Sequence, residues 1–130
     1  MLWHRLYEHP NLGDVDFDES YVLGWRLEAS SLVLDVDAVL LPAHADHRPP
    51  APNEWASFRR CSLTFTDVRD LSGYDALDAT RPARDSSGEA DYGHIDDAFY
   101  TRLGEYRLRI ECAGSLSFSA GGVNLAASPV

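Results

Sequence analysis

The stretch His44-Ala45-Asp46-His47 places two imidazoles and a carboxylate within four residues, a combination that can bind a divalent transition metal. The surrounding segment 42–53 contains four prolines, which cannot take part in a central β-ladder. A metal site also needs a further ligand and groups that hold the ligands in place, and no fourth ligand is evident nearby. An exposed polar loop is therefore expected, with a metal site at His44, Asp46 and His47 as the alternative.

Three aspartates alternate near the start of the chain, at Asp14, Asp16 and Asp18. Their spacing resembles the beginning of a calcium-binding loop. In such a loop, however, position six would be Glu19 instead of glycine and position twelve would be Trp25 instead of glutamate. The sequence therefore excludes a calcium loop of this type.

Asp35 and Asp37 share one face of a predicted strand and lie about 7 Å apart, from the rise per residue. This spacing is compatible with catalysis by paired carboxylates, which also requires a cleft and shifted pKa values. A solvated acidic face is expected instead. Together with Asp14, Asp16 and Asp18, these two residues form the predicted binding surface for a partner.

The sequence contains no glycine-rich phosphate loop, no nucleophile elbow and no Cys-x-x-Cys pair. Arg59, Arg60, Arg107 and Arg109 would form a basic stripe if their strands were adjacent. Otherwise they are expected to pair with carboxylates on an exposed sheet face. No catalytic residue and no cofactor are predicted, and a non-enzyme is expected.

The charge balance restricts the class of partner. Eleven basic and twenty-one acidic residues give a net charge of −10, which opposes binding to nucleic acid or to an anionic membrane surface. It favours a basic protein, although solubility alone also explains it. No signal peptide or membrane-spanning apolar run is apparent, so a cytoplasmic location in a bacterium-like cell is expected.

The strongest structural pattern lies between Tyr21 and Leu41, where apolar residues alternate in two runs and predict a β-hairpin. The turn is expected at residues 29–31. The predicted inward residues are Tyr21, Leu23, Trp25, Leu27 and Ala29 on the first strand, and Leu32, Leu34, Val36, Ala38 and Leu40 on the second. Further apolar residues at Val33, Val39 and Leu41 indicate that the opposite face is partly covered.

Similar alternation predicts the other strands. Val15 and Phe17 indicate a short edge strand, residues 55–66 a third strand, and residues 105–112 a strand that leads into a C-terminal meander. The predicted core consists of Trp25, Leu34, Leu63, Phe65, Leu108, Ile110 and Phe118. Both cysteines, Cys61 and Cys112, fall at inward positions, as buried thiols or, alternatively, as a disulfide.

Two segments are less regular. Residues 94–103 show helical spacing of their apolar side chains, although an irregular strand fits them as well. Residues 78–93 are polar and predict a mobile loop, anchored by Leu71 and Tyr74 just before it. The whole chain, 1–130, is expected to form one all-β, mainly antiparallel domain. We expect a sandwich or partly closed barrel of about seven or eight strands, with at most one or two short helices.

The C-terminal pattern is similar to that of a group of small bacterial all-β domains of unknown function, some of them associated with toxin-immunity loci. The residues that carry the resemblance are Gly93-His94-Ile95-Asp96 to Phe99, Tyr106-Arg107-Leu108-Arg109-Ile110, Gly114 and Leu116-Ser117-Phe118. The resemblance covers roughly the last third of the chain and the hairpin. It implies an antiparallel meander in which residues 94–100 form a strand, and it implies no catalytic residue.

These observations predict a non-enzymatic binding domain, in its specific form an immunity-type protein that neutralises a basic protein through its acidic surface. The alternative is a small-molecule-binding β-barrel, or a metal-dependent enzyme that uses His44, Asp46 and His47. An enclosed cavity lined by aromatic side chains would favour the alternative.

Overall fold

The computed structural model describes residues 2–79, 83–84 and 90–128, which form mainly antiparallel β-strands. In chain order the elements are β1 (His4–Arg5), a 3-10 helix (Leu6–Glu8), β2 (Val15–Glu28), β3 (Ser31–Leu40), β4 (Phe58–Thr66), β5 (Arg69–Ser72), α1 (Tyr74–Asp78), β6 (Ala83–Arg84), β7 (Ala90–Asp91), β8 (Ile95–Tyr100), β9 (Glu105–Ile110), β10 (Gly114–Ser119) and β11 (Gly122–Ala127).

The strands form two main sheets. Sheet 1 has the order β1-β8-β9-β10-β5 and sheet 2 the order β11-β4-β3-β2, while β6 and β7 form a separate small hairpin. Within the described part of the chain, the nine strands of the two main sheets do not close into a barrel, and helix is confined to α1 and the short 3-10 turn. The predicted all-β sandwich is confirmed.

The core lies between the inner faces of the two sheets. Phe65 from sheet 2 contacts Tyr106 and Phe118 from sheet 1 edge to face, at ring-centroid distances of 5.0 and 4.9 Å. Tyr106 and Phe118 stack on each other at 5.5 Å. Every predicted core residue is buried except Trp25, which is half-buried and packs against the core. The interior is therefore filled by aromatic and aliphatic side chains.

Strand β2 differs from its prediction because it is one continuous strand with two irregularities. Its pairing with β3 shifts between Asp16 and Tyr21 and again between Val22 and Gly24. Each extra residue on one strand changes which side chains face the core. As a result Val22 is fully buried, while Tyr21 lies opposite Asp37 on the outer face, so the predicted inward orientation of Tyr21 was wrong.

The far end of β2 returns to the predicted orientation. Leu27 lies opposite the buried Leu32 and faces inward, but it is 45% exposed because it lies near the end of the hairpin. Ala29, also predicted to face inward, is exposed in the turn, so that prediction was wrong.

The hydroxyl of Ser20 replaces part of the interrupted ladder. It donates to the backbone carbonyl of Asp16 at 2.7 Å and accepts the backbone N–H of Val39 at 2.9 Å. Ser20 is completely buried, and an unpaired polar group there would be destabilising. The buried hydroxyl of Ser20 thus holds the irregular part of β2 against β3.

Strand β3 agrees with its prediction. All five inward residues of β3 are buried, and Val33 and Val39 on the opposite face are also buried, at 4% and 5% exposure. The second face of the hairpin is therefore partly covered, as the sequence indicates. Leu41, just beyond the strand, is 41% exposed.

Residues 95–100 form β8, so the helix suggested by the spacing of residues 94–103 is wrong. The pairing of β8 with β9 shifts between Ile95 and Asp97, and this irregularity leaves both Ile95 and Ala98 buried, three residues apart. Two inward side chains at this spacing imitate the period of a helix. A bulged strand therefore explains the misleading pattern.

Residues 92–94, which we call the bridging segment, connect the two sheets at one edge. Val22 of sheet 2 donates to the carbonyl of Gly93 and accepts from the N–H of Tyr92, both at 2.9 Å. On its other side, the bridging segment accepts hydrogen bonds from the N–H groups of residues 111–112 at 2.9 Å. These bonds satisfy part of the edge of β2 and fix the sheets to each other.

The C-terminal strands depart from the predicted meander at its end. Strands β8, β9 and β10 are neighbours in sheet 1, but β11 crosses to sheet 2 and pairs with β4. The crossing is held by the N–H of Gly121, which donates to the carbonyl of Thr66 at 2.7 Å. The turn at residues 121–122 therefore leads β11 to β4 instead of to the neighbouring strand β10, which a meander would require.

The segment after β5 agrees with the predicted anchors. Leu71 and Tyr74 are partly buried and pack against the core, with Tyr74 at the start of α1. Half of the predicted mobile loop at 78–93 lies outside the described residues, at 80–82 and 85–89. The described half includes β6 and β7.

Candidate functional site

The outer face of sheet 2 brings aromatic and acidic side chains together. Residues paired directly across neighbouring strands project from the same face of a sheet. Two adjacent rows of this face are formed by Phe58, Val39 and Asp16 and by Arg60, Asp37 and Tyr21. The register of β2, β3 and β4 therefore sets a carboxylate beside an aromatic ring.

Four rings form a continuous line over this face, and we call Trp55, Phe58, Tyr21 and His94 the aromatic strip. Trp55 contacts Phe58 edge to face with ring centroids 5.3 Å apart, and Phe58 lies 6.0 Å from Tyr21. Tyr21 continues the line to His94 at 4.4 Å. The strip thus extends from the loop before β4 to the bridging segment.

Trp55 is the most exposed member of the strip, with 65% of its surface accessible. The loop that carries it is held at its end, because the carbonyl of Ser57 accepts the N–H of Leu40 at 3.0 Å and the Ser57 hydroxyl accepts the N–H of Arg48 at 3.3 Å. Ser57 itself is buried. An exposed indole on an anchored backbone is suited to burial against a partner, since tryptophan is enriched at the centres of interfaces.

His94 ends the strip at the boundary between the sheets. Its backbone pairs with Tyr21 as an isolated bridge, and its Nδ1 lies 3.7 Å from the Oε1 of Glu111. Among the described residues, the buried Nε2 of His94 has no hydrogen-bond partner. A carboxylate from sheet 1 therefore adjoins the aromatic strip at this end.

The five predicted acidic residues do not form one uniform surface. Asp14 and Asp18 are exposed, whereas Asp16, Asp35 and Asp37 are half-buried. Asp14 precedes β2 in a left-handed conformation, with φ of 62°, and Asp18 lies in the irregular part of β2. Asp16 and Asp37 share rows with members of the aromatic strip.

Asp35 is neutralised by a neighbour. Its Oδ2 accepts a hydrogen bond from Nη1 of Arg26 at 2.8 Å. Hydrogen bonds to Glu28 and to Asp35 raise the pKa of Arg26 above its usual value, so the guanidinium stays charged. The charge of Asp35 is therefore balanced by that of Arg26.

The proposed metal ligands lie in the loop between β3 and β4. The Nδ1 of His44 accepts the backbone N–H of Asp46 at 3.0 Å, which uses that lone pair. Across the described residues, no three side chains of His, Cys, Asp or Glu are grouped so that they could hold a metal ion. The structure therefore does not assemble His44, Asp46 and His47 into a metal site.

The cysteines and arginines also occupy separate places. Cys61 is buried and Cys112, just beyond β9, is exposed, so the predicted burial of Cys112 was wrong; both are free thiols. Burial raises the pKa of the Cys61 thiol to about 11, which leaves it protonated at neutral pH. The arginine pairs 59–60 and 107–109 lie in different sheets, so they do not form the single stripe that adjacent strands would give.

Sequence reasoning missed Trp55 and His94 as surface residues. Trp55 follows the proline-rich loop, and an aromatic residue in that position is equally suited to a core. His94 was recognised only as part of a structural pattern. Its place beside Tyr21 results from the bridge between β2 and the bridging segment, which joins residues far apart in the chain.

Comparisons of the chain with protein-family models, with curated proteins and with solved structures each found no match. In the described residues, no helix has the length and apolar character needed to span a membrane.

Proposed function

We propose that this chain is a non-enzymatic binding domain that takes up a basic protein on the outer face of sheet 2. Trp55, 65% exposed, carries the proposal, because its ring is held edge to face by Phe58 at the end of the aromatic strip. Large aromatic side chains dominate the binding energy of interfaces when they insert into a pocket of the partner. Trp55 would act as that anchor.

Charge complementarity defines the partner. Asp16 and Asp37 share rows with Phe58 and Tyr21, and Glu111 lies beside His94. The chain as a whole has a net charge of −10. Acidic groups next to an aromatic anchor favour lysine and arginine side chains on the partner and steer its approach. In its specific form, the proposal is an immunity-type role in which the domain neutralises a basic protein.

The decisive experiment compares Trp55→Ala with Leu103→Ala, which removes an apolar side chain of 78% exposure in the loop between β8 and β9. The wild-type domain and both variants are used to capture partners, and the affinity for each purified partner is then measured by calorimetry. We expect a basic protein that binds wild type and Leu103→Ala equally, and Trp55→Ala roughly 30-fold more weakly.

Two results would contradict the proposal. One is equal affinity of the Trp55→Ala and Leu103→Ala variants, which would remove Trp55 from the interface. The other is a purified partner with net negative charge. If the basic partner is a toxic enzyme, wild type should inhibit it in a mixing assay and Trp55→Ala should inhibit it only at higher concentration.

A further inference from the structure

The outer face of sheet 1, opposite the aromatic strip, carries a different chemistry. Register places one row of polar and aromatic side chains across the sheet, formed by Arg5, Phe99, Arg107, Ser117 and Ser72. The next row along β9 contains Asp97, Arg109 and Ser115. Guanidinium groups and hydroxyls therefore alternate over this face.

Two of these arginines rest on aromatic rings instead of pairing with carboxylates. The guanidinium carbon of Arg107 lies 4.6 Å from the ring centre of Trp3, and that of Arg5 lies 5.0 Å from that of Phe99. Within the part of the chain that the structure describes, neither Arg5 nor Arg107 forms an ion pair, although the protein has twenty-one acidic residues.

A stacked guanidinium uses its face and leaves its N–H donors, which lie in the plane, available. By contrast, Nε of Arg109 lies 3.8 Å from Oδ2 of Asp96, and Arg26 is bonded to Asp35. Arg107 is therefore a charged group held in position, and none of the described residues accepts a hydrogen bond from its side chain. Such an arginine is suited to a planar or tetrahedral oxyanion, which it can bind with two hydrogen bonds.

Arg107 lines a groove of about 580 Å³ on this face, which we call the arginine groove. Hydroxyl-bearing residues surround the arginine there, at Ser72, Ser115 and Ser117. A second depression of about 370 Å³ shares Arg107 and Ser117 with it and is lined also by Trp3, Asp70 and Glu105. Arg107 thus lies at the boundary between the two depressions and lines both of them.

Carboxylates stand on both sides of this central position. Asp97 lies opposite Arg109 in the arginine groove, and Glu105 lies on the other side of Arg107 in the second depression. Arg107 is two residues from both Arg109 and Glu105, which corresponds to about 7 Å along the strand. An anion at Arg107 would therefore lie between two carboxylates, one of which, Asp97, lines the arginine groove with it.

We propose that the arginine groove binds a sugar-sized ligand that carries one phosphate or carboxylate. The oxyanion is held by the N–H groups of Arg107 and the hydroxyl of Ser117, and the sugar hydroxyls donate to Asp97, the carboxylate that lines the same groove. The site is independent of the proposed protein interface, because it lies on the opposite sheet.

The test uses glucose 6-phosphate and glucuronate as probes, with glucose as the neutral comparison, at constant ionic strength. Binding is followed by NMR, through the Nε–H of Arg107, the indole N–H of Trp3 and the backbone amides near Ser117. At least one acidic probe should shift these signals in a saturable way, and glucose should not. Binding of only the phosphate or only the carboxylate probe identifies which oxyanion the site takes.

Two substitutions separate this site from general charge effects. Arg107→Gln should weaken binding about tenfold, the loss expected for a charge-assisted hydrogen bond, while Arg60→Gln on the other sheet should change it less than about twofold. Arg107→Lys, which keeps the charge but loses the planar donors, should also weaken binding. The proposal is overturned if neither acidic probe binds, if Arg60→Gln weakens binding as much as Arg107→Gln, or if Arg107→Lys retains full affinity.

Discussion

Ile110 lies at the end of β9, the central strand of sheet 1, and its side chain is completely buried. Truncation to alanine removes apolar contacts and leaves a cavity that the surrounding strands fill only in part. We expect Ile110→Ala to lower the free energy of unfolding by about 2 to 5 kcal/mol. Denaturant unfolding measures the change through a shift of the midpoint at unchanged slope.

Leu103→Ala provides the comparison for Ile110→Ala, because Leu103 is 78% exposed and its truncation opens no cavity. Its free energy of unfolding should stay within about 0.5 kcal/mol of wild type. Similar midpoints for the two variants would show that the inner face of β9 has been assigned incorrectly.

The burial of a single residue could be predicted from sequence where its side chain is suited to only one environment, the core or the solvent. An isoleucine at the inward position of a regular strand must be buried, so Ile110 and Leu108 could be assigned correctly. Trp55 could not, since an indole is suited both to a core and to a protein interface. The ion pair between Arg26 and Asp35 could not be predicted from sequence either, because it depends on the register of β2 and β3.

At the scale of elements, regular alternation was a reliable guide and irregular strands were not. β3, β4 and β9 have uninterrupted patterns, and the inward residues predicted within them are buried. In β2 and β8, extra residues shift the pairing, so that inward side chains lie three residues apart. No residue type marks such a shift, because the geometry of the partner strand determines where the extra residue is placed.

The bridging segment provides a test of how the two sheets are held together. Gly93 has a φ of 83°, and a Cβ atom there would lie 2.9 Å from the Cβ of Glu111 and 3.1 Å from the Sγ of Cys112. Gly93→Ala should therefore destabilise the fold by about 1 to 3 kcal/mol, through backbone strain and steric overlap. Thermal unfolding followed by circular dichroism measures the loss.

Gly13→Ala is the matched substitution, because a Cβ at Gly13 meets no atom within 4 Å and its φ lies outside the left-handed region. It should leave the unfolding temperature nearly unchanged. If Gly93→Ala were as stable as Gly13→Ala, the contacts of the bridging segment with residues 111–112 would not be tight.

For the whole molecule, the two outer faces have distinct chemistry although the chain is acidic overall. Sheet 2 carries the aromatic strip with Asp16 and Asp37, and sheet 1 carries the arginine groove. Composition predicted the sign of the net charge but not this division. Pairing between residues far apart in the sequence decides which strands share a sheet. The crossing of β11 to β4 is an example, because the turn at residues 121–122 does not indicate which strand β11 will pair with.

The division of charge leads to a prediction for the kinetics of partner binding. Opposite charges accelerate diffusional encounter, and salt screens them over about 8 Å at physiological ionic strength. We therefore expect the association rate of a basic partner to fall steeply as salt is raised, with a much smaller change in the dissociation rate. Stopped-flow measurements at two salt concentrations determine both rates.

Two double variants with the same net charge locate this effect on the surface. Asp16→Asn with Asp18→Asn removes two acidic groups of β2, of which Asp16 shares a row with Phe58 of the aromatic strip. Asp70→Asn with Asp75→Asn removes exposed acid near β5 and α1. Steering depends on the local potential, so the first pair should slow association and flatten its salt dependence more than the second. Equal effects of the two pairs would mean that net charge alone attracts the partner. An association rate independent of salt would mean that the acids of β2 serve solubility, and that the partner is recognised by Trp55 and its apolar neighbours without electrostatic guidance.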